Sequence, residues 1–238
     1  MTASIASEVT TGKVAASEVY SALRQSILDG DIAPGTRINI DAVSRRLGVS
    51  QTPVREALLR LEGDNLLVSY PGRGYSTTPL LSVAELRSLF EFRLLVEPWA
   101  ARSAAVDRLS NPSAALQWEL EALERQIDDT GNVRQDLVAH DARFHDMILA
   151  SAGNQVVQQA YAQTHCHLHL FRLYPADEEG RITLQEHRKI RNAIAASDPA
   201  AAEEAMSAHI RSSYHRFAHA FDAQVIPLAE APPARMVP

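Results

Sequence analysis

The sequence predicts a mainly α protein in two parts: three short helices closed by a β-hairpin, then a bundle of about six helices. Three observations carry that expectation. Residues 14–63 hold three apolar runs at helical spacing, each ended by its own stop signal. Residues 66–78 switch to two short extended runs hinged on Pro71-Gly72-Arg73-Gly74. Beyond Pro79 the chain is rich in alanine and poor in β-branched residues, which favours helix throughout.

Taken in order, residues 1–12 are small and polar and read as a disordered terminus. Val14, Val19, Ala22, Leu23 and Ile27 form the stripe of a first helix, stopped at Gly30. Asp41 is the expected cap of a short helix over Ala42–Leu47, ended by Gly48. Ser50 or Thr52 caps the next, whose Pro53 sits where a missing N–H costs nothing. Strands over Leu66–Tyr70 and Tyr75–Thr78 follow. After a linker at 79–82, Ser82 and Glu85 make a capping box. Helices are then expected over 83–106, 112–128, 133–151, 155–173, 182–196 and 199–222, punctuated by Gly-Asn and Pro dipeptides. The parts are therefore a small unit over 13–79, a larger one over 80–224 and a flexible tail over 225–238.

Composition narrows the class. The chain has 238 residues, 46% hydrophobic and 22% charged, which excludes collagen-like and disordered types. No apolar run approaches the roughly 18–20 residues of a membrane helix. The single cysteine, Cys166, has no internal partner for a disulfide, and a reducing cytoplasm is the expected setting. Net charge is −6, but residues 1–80 are balanced at 8 basic and 8 acidic side chains. All nine histidines lie between His140 and His219.

The run Leu47-Gly48-Val49-Ser50-Gln51-Thr52-Pro53-Val54-Arg55-Glu56-Ala57-Leu58 has the build of a DNA recognition helix. Gly48 permits a tight turn, while Val49 and Val54 point inward. Gln51, Thr52 and Arg55 stay on the outer face near the helix start, where base edges are met. Arginine can bond guanine bidentately and glutamine adenine. Arg45, Arg46 and Arg60 add charge for the phosphate backbone, and the Gly72-Arg73-Gly74 tip can approach a minor groove closely. Spacing alone leaves a merely solvated basic face as an equal alternative.

These residues closely resemble the winged helix-turn-helix of the GntR regulator superfamily, with its LGVS-x-TPVREAL-x-RLE pattern and Gly-rich wing, over about Val14–Thr78. The resemblance implies that Ser50, Thr52 and Arg55 contact DNA and that Arg73 and Gly74 form the wing. The residue before Thr-Pro is usually an arginine in that family; here it is Gln51, which implies a different base preference. A further arginine opens the preceding helix in the fatty-acid-responsive member; this chain has Asp41 there, leaving Arg45 or Arg46 to serve.

The histidines offer a second site. Asp141 and His145 are four apart on one helix face, His187 lies on an apolar-striped helix, and His209 shares a face with Ala205 and Met206. His165/His169 and His215/His219 have the same spacing, so spacing leaves the choice open. Residues 83–222 resemble the FCD effector domain of the FadR branch, through Glu91-Phe92-Arg93-x3-Glu97, Asp141-x2-Phe144-His145, Ala152-Gly153-Asn154, Glu186-His187 and Ala205-Met206-x2-His209. In metal-containing members an Asp, the His of that helix and one His on each of the last two helices are ligands. The resemblance thus implies Asp141, His145, His187 and His209 around a divalent ion, zinc first, with nickel, manganese or iron as alternatives.

A small carboxylate chelating that ion is the expected effector. Arg93, then Arg172 near His169, are the candidates for its distal oxygens, with Asn154 nearby. A buried salt bridge from Arg93 to Glu97 or Asp141 is the competing reading; as a partly exposed effector contact, Arg93→Ala is expected to leave stability within about 1 kcal/mol. The whole then reads as a homodimeric repressor of a palindromic operator, with no membrane partner. Two alternatives remain: a purely structural metal, and a metal-dependent hydrolase with Glu186 as base. The second lacks an HExxH motif, a Ser-His-Asp order and a phosphate loop.

Overall fold

The computed structural model describes residues 2–130, 134–173 and 180–221, together with Leu228. It divides into two compact units, Met1–Leu80 and Leu81–Pro238. The first comprises α1 (Thr2–Leu28), β1 (Arg37–Ile38), α2 (Ile40–Leu47), α3 (Gln51–Gly63), β2 (Leu67–Tyr70) and β3 (Gly74–Thr77). Its core joins Val19, Leu23 and Ile27 of α1 to Val54, Ala57, Leu58 and Leu61 of α3. Of the expected stripe of the first helix, Val19, Leu23 and Ile27 are buried and Ala22 is half-buried.

Three local expectations change. Helix α1 runs from Thr2, so residues 2–12 are helical rather than disordered. No proline interrupts them, and extending a helix already anchored by Ala16 and Val19 adds a hydrogen bond per residue without a new nucleus. Asn39, not Asp41, caps α2 by accepting from Ala42 N, and Asp41 lies in the first turn. Strand β1, two residues long, was not foreseen because no period can register in two residues; it pairs antiparallel with β3, giving the order β1-β3-β2. Gly48 ends α2 at φ 67°, the left-handed turn that glycine adopts without Cβ strain.

The second unit comprises α4 (Val83–Val106), α5 (Ser113–Thr130), α6 (Arg134–Ser151), α7 (Gln155–Ala162), α8 (Cys166–Leu173), α9 (Arg181–Ala195) and α10 (Pro199–Ala218), with a 3-10 turn at His219–Phe221. The Ser82–Glu85 capping box forms in both directions. The core draws Phe90 from α4, Leu120 from α5, Phe144 from α6, Ile190 from α9 and Tyr214 from α10, all essentially inaccessible. The helix expected over 155–173 is broken: His165 sits at φ 46°, and Thr164 Oγ1 returns a bond to Tyr161 O. Neither glycine nor proline marks this break, so the bundle has seven α-helices among the described residues instead of about six. The punctuation expected at 131–132 and 174–175 falls outside the described residues, as does the tail over 225–238 apart from buried Leu228.

Candidate nucleic-acid face and candidate metal centre

In the first unit, Ser50 holds the N-cap position of α3, without a side-chain cap bond, and Gln51 and Thr52 open the helix. Gln51, Thr52 and Arg55 are exposed together, as are Arg45, Arg46, Arg73 and Gly74. An open cleft of about 520 Å³ brings Asp41, Gln51 and Arg55 next to Arg73 and Gly74 at the hairpin tip. Helix start and hairpin thus line one basic surface, as recognition of a duplex requires. Gln51 donates to Asp41 Oδ1 at 2.5 Å and accepts from Arg55 Nη2 at 3.3 Å. Arg60 is partly engaged elsewhere, over the Tyr20 ring at 4.1 Å and near Ser17 Oγ.

In the second unit, Asp141, His145, His187 and His209 are buried and each offers a donor atom within 4.8 Å of every other. The inner atoms are Asp141 Oδ1 and three Nε2 nitrogens. Oδ1 stands 3.6 Å from His145 Nε2 and 3.4 Å from His187 Nε2, and His187 Nε2 stands 3.4 Å from His209 Nε2. Donors held about 2.1 Å from one ion and spread tetrahedrally are themselves about 3.4 Å apart; three of the six spacings here are close to that, and all six lie within 4.8 Å. His145 Nε2 is buried and has no hydrogen-bond partner, as a nitrogen reserved for a metal would be.

Each inner atom is aimed by a partner behind it. His167 Nδ1 donates to Asp141 Oδ2 at 2.6 Å, leaving Oδ1 inward. His209 Nδ1 donates to Glu186 Oε2 at 2.8 Å, and Arg216 braces that carboxylate. His145 Nδ1 meets the Glu97 carboxylate. His187 Nδ1 faces His140 Nε2 at 3.0 Å, and His140 Nδ1 meets Glu119 Oε1 at 3.1 Å. Glutamate at the end of that relay makes His140 Nδ1 a donor and Nε2 an acceptor, so His187 carries its proton on Nδ1 and keeps the Nε2 lone pair inward. Such outer partners fix tautomer and orientation in metal sites.

Electrostatics agree at Asp141, His187 and His209, whereas at His145 burial is outweighed by Glu97 and Asp141, which raise it. Burial opposes charge on Asp141, but His167 and His145 outweigh it and hold the carboxyl well below its usual range. Burial pushes His187 well down, with His209 adding to it, and pushes His209 down against Glu186. A carboxylate and neutral imidazoles are the forms that bind metal. Burial likewise opposes ionisation of Glu97, yet Arg93 and His145 outweigh it.

The expected effector contacts fare differently. Arg93 is 1% exposed and grips Glu97 through Nε at 2.5 Å and Nη2 at 3.4 Å. It is therefore the salt bridge that the competing reading describes, and the premise that Arg93→Ala is a partly exposed change fails. Asn154 is the N-cap of α7, accepting from Val156 N and Val157 N. His169 and Arg172 are buried on α8, and His169 Nε2 makes no hydrogen bond. Glu186 orients His209 rather than standing free as a base. His167 was missed: along an unbroken helix it would face away from the His165/His169 pair, and only the turn at His165 brings it to Asp141.

The family described as "Bacterial regulatory proteins, gntR family" matches residues 15–76, and the FCD domain matches residues 88–212. The uncharacterized HTH-type transcriptional regulator YdhC of Bacillus subtilis (strain 168) is 25% identical over 207 residues, covering 86% of this chain and 92% of that protein. The HTH-type transcriptional repressor RspR of Escherichia coli (strain K12) is 29% identical over 196 residues, covering 82% and 85%. Among solved structures, E. coli McbR/YncC aligns at a TM-score of 0.67 with 21% identity, covering 87% of this chain and 98% of that one.

Proposed function

The chain belongs to the gntR family of bacterial regulatory proteins with an FCD domain and is a transcriptional regulator rather than an enzyme, and on that premise we propose how it works. A homodimer grips an inverted-repeat operator through Gln51, Thr52 and Arg55, with Ser50, Arg45, Arg46, Arg73 and Gly74 on the phosphates and minor groove. Asp141, His145, His187 and His209 hold a divalent metal, zinc before nickel, manganese or iron. The bound ion supplies a Lewis-acid centre for a small carboxylate. His169 and Arg172 approach the carboxylate's distal end. Effector binding lowers operator affinity, so the protein is a repressor relieved by its ligand, acting in the cytoplasm.

The observation that carries this reading is the set of four inner donors, each aimed by its own outer partner. A solvated histidine face has no reason to be built that way. The relative RspR is described as a repressor, which supports the sign of regulation. A two-fold reader needs two copies, and α4 presents Leu95, Trp99 and Val106 at helical spacing as an exposed apolar stripe for the second one. Among the described residues no helix is long and apolar enough to cross a membrane.

The test is fluorescence anisotropy of labelled upstream DNA. The metal-loaded protein binds it, and one member of a carboxylate panel weakens binding. A chelated protein, or His187→Ala, loses that response. If binding persists and the response is unchanged in both, the ion is structural. If no duplex is retained with or without metal, the reading fails.

A further inference from the structure

The three side chains Asp41, Gln51 and Arg55 form a chain of hydrogen bonds on the exposed start of α3, with Gln51 in the middle. Only one orientation of the Gln51 amide satisfies both neighbours: Nε2 must face the carboxylate, and Oε1 the guanidinium. An amide offers two donor hydrogens and two acceptor lone pairs. One of each is used, so one of each is left. That remaining pair is the combination an adenine edge presents to a side-chain amide in the major groove.

Asp41 makes no contribution that DNA affinity asks for. It is a carboxylate in a cleft lined by Arg37, Arg55 and Arg73, on a surface that must approach phosphates. It is exposed and does not cap α2, since Asn39 does. Among the described residues its side chain bonds to Gln51. Its negative charge weakens non-specific binding, while its hydrogen bond fixes a side chain that would otherwise sample several rotamers.

We propose that Asp41 is a specificity-determining residue: it clamps Gln51 so that the amide reads adenine beside the base contacted by Arg55. Arg55 is held by the other corner of the same amide, so the two readers are aligned as a unit. The inference rests on the DNA-binding reading above and adds to it a base and a residue.

The experiment selects bound sequences from a randomised duplex library with full-length protein at fixed salt, then measures affinities of the winners. Wild type selects adenine at one position next to the Arg55-dependent base. Asp41→Ala loses about tenfold of that preference, the scale of one bidentate base contact, while binding non-cognate duplex more tightly. Asp41→Asn keeps the preference, because its side-chain carbonyl accepts the same bond. Gln51→Ala loses it altogether. Glu18→Gln, an exposed acid on α1, changes neither. Melting curves matching wild type establish that each variant is folded.

Unchanged adenine preference in Asp41→Ala overturns the proposal and leaves DNA binding intact. So does an equal loss in Asp41→Asn, or selection of another base by wild type. Failure of wild type to enrich any duplex overturns the DNA-binding reading itself.

Discussion

Glu186 and His209 are joined by a 2.8 Å hydrogen bond between α9 and α10, and that bond turns the His209 Nε2 lone pair toward His187, 3.4 Å away. Burial raises the Glu186 carboxyl, but His209 and Arg216 outweigh it and bring it down to about 2, so the acceptor stays charged across the physiological range. Glu186→Gln keeps the shape and weakens the orientation. Metal affinity is expected to fall about 10–100-fold, the usual cost of losing an outer partner. Titration against a competing chelator measures it; an unchanged affinity removes Glu186 from the site.

Arg93→Ala takes the guanidinium from the buried Glu97 carboxylate and leaves it to His145 Nδ1. Breaking one side of a buried pair costs about 3–5 kcal/mol, well beyond what a surface change would cost. Chemical denaturation reads this directly. A loss under 1 kcal/mol would mean that water or another cation reaches Glu97.

His169 sets an acid limit on stability. Burial lowers it to about 4, with Arg172 and His165 helping and Glu85 opposing. Its folded value lies below the unfolded value near 6.5, so its contribution is complete above pH 6.5 and fades as pH falls toward 4. His169→Gln should flatten the stability profile of chelated protein by about 2 kcal/mol across that window. A parallel profile would show that His169 titrates normally.

Gly48→Ala tests the turn before the recognition helix. A Cβ there meets nothing within 4 Å, so only the backbone at φ 67° resists it. The expected cost is about 1–2 kcal/mol in melting experiments. Gly48→Asn should recover part of that, since asparagine tolerates the left-handed region.

Phe144 stacks on His187 with ring centroids 4.0 Å apart and is fully buried. Phe144→Leu should cost about 1–2 kcal/mol and lower metal affinity together. Stability falling with affinity intact would separate packing from ligand placement.

What the sequence made legible were features written in local chemistry. The Ser82–Glu85 box and the Leu23–Ile27 stripe are decided within a few residues, and each is found in the structure. Asp141, His145, His187 and His209 meet as expected because resemblance supplied the pairing that spacing could not. The rest depended on non-local events. His167 reaches Asp141 only because the chain turns at His165, a residue with no special sign of turning. Arg93 and Glu97 could be read in sequence as a buried i,i+4 pair or Arg93 as an effector contact, and only the helices around them decide for the buried pair.

The second unit is tied together by one polar network. Its polar web takes a member from every helix: Glu97 from α4, Glu119 from α5, Asp141 from α6, Tyr161 from α7 through its 3.1 Å bond to His167 of α8, Glu186 from α9 and His209 from α10. No helix can drift without disturbing the rest. Amide hydrogens in all seven should therefore exchange with deuterium at rates that slow together when zinc is added, as one cooperative block rather than loop by loop.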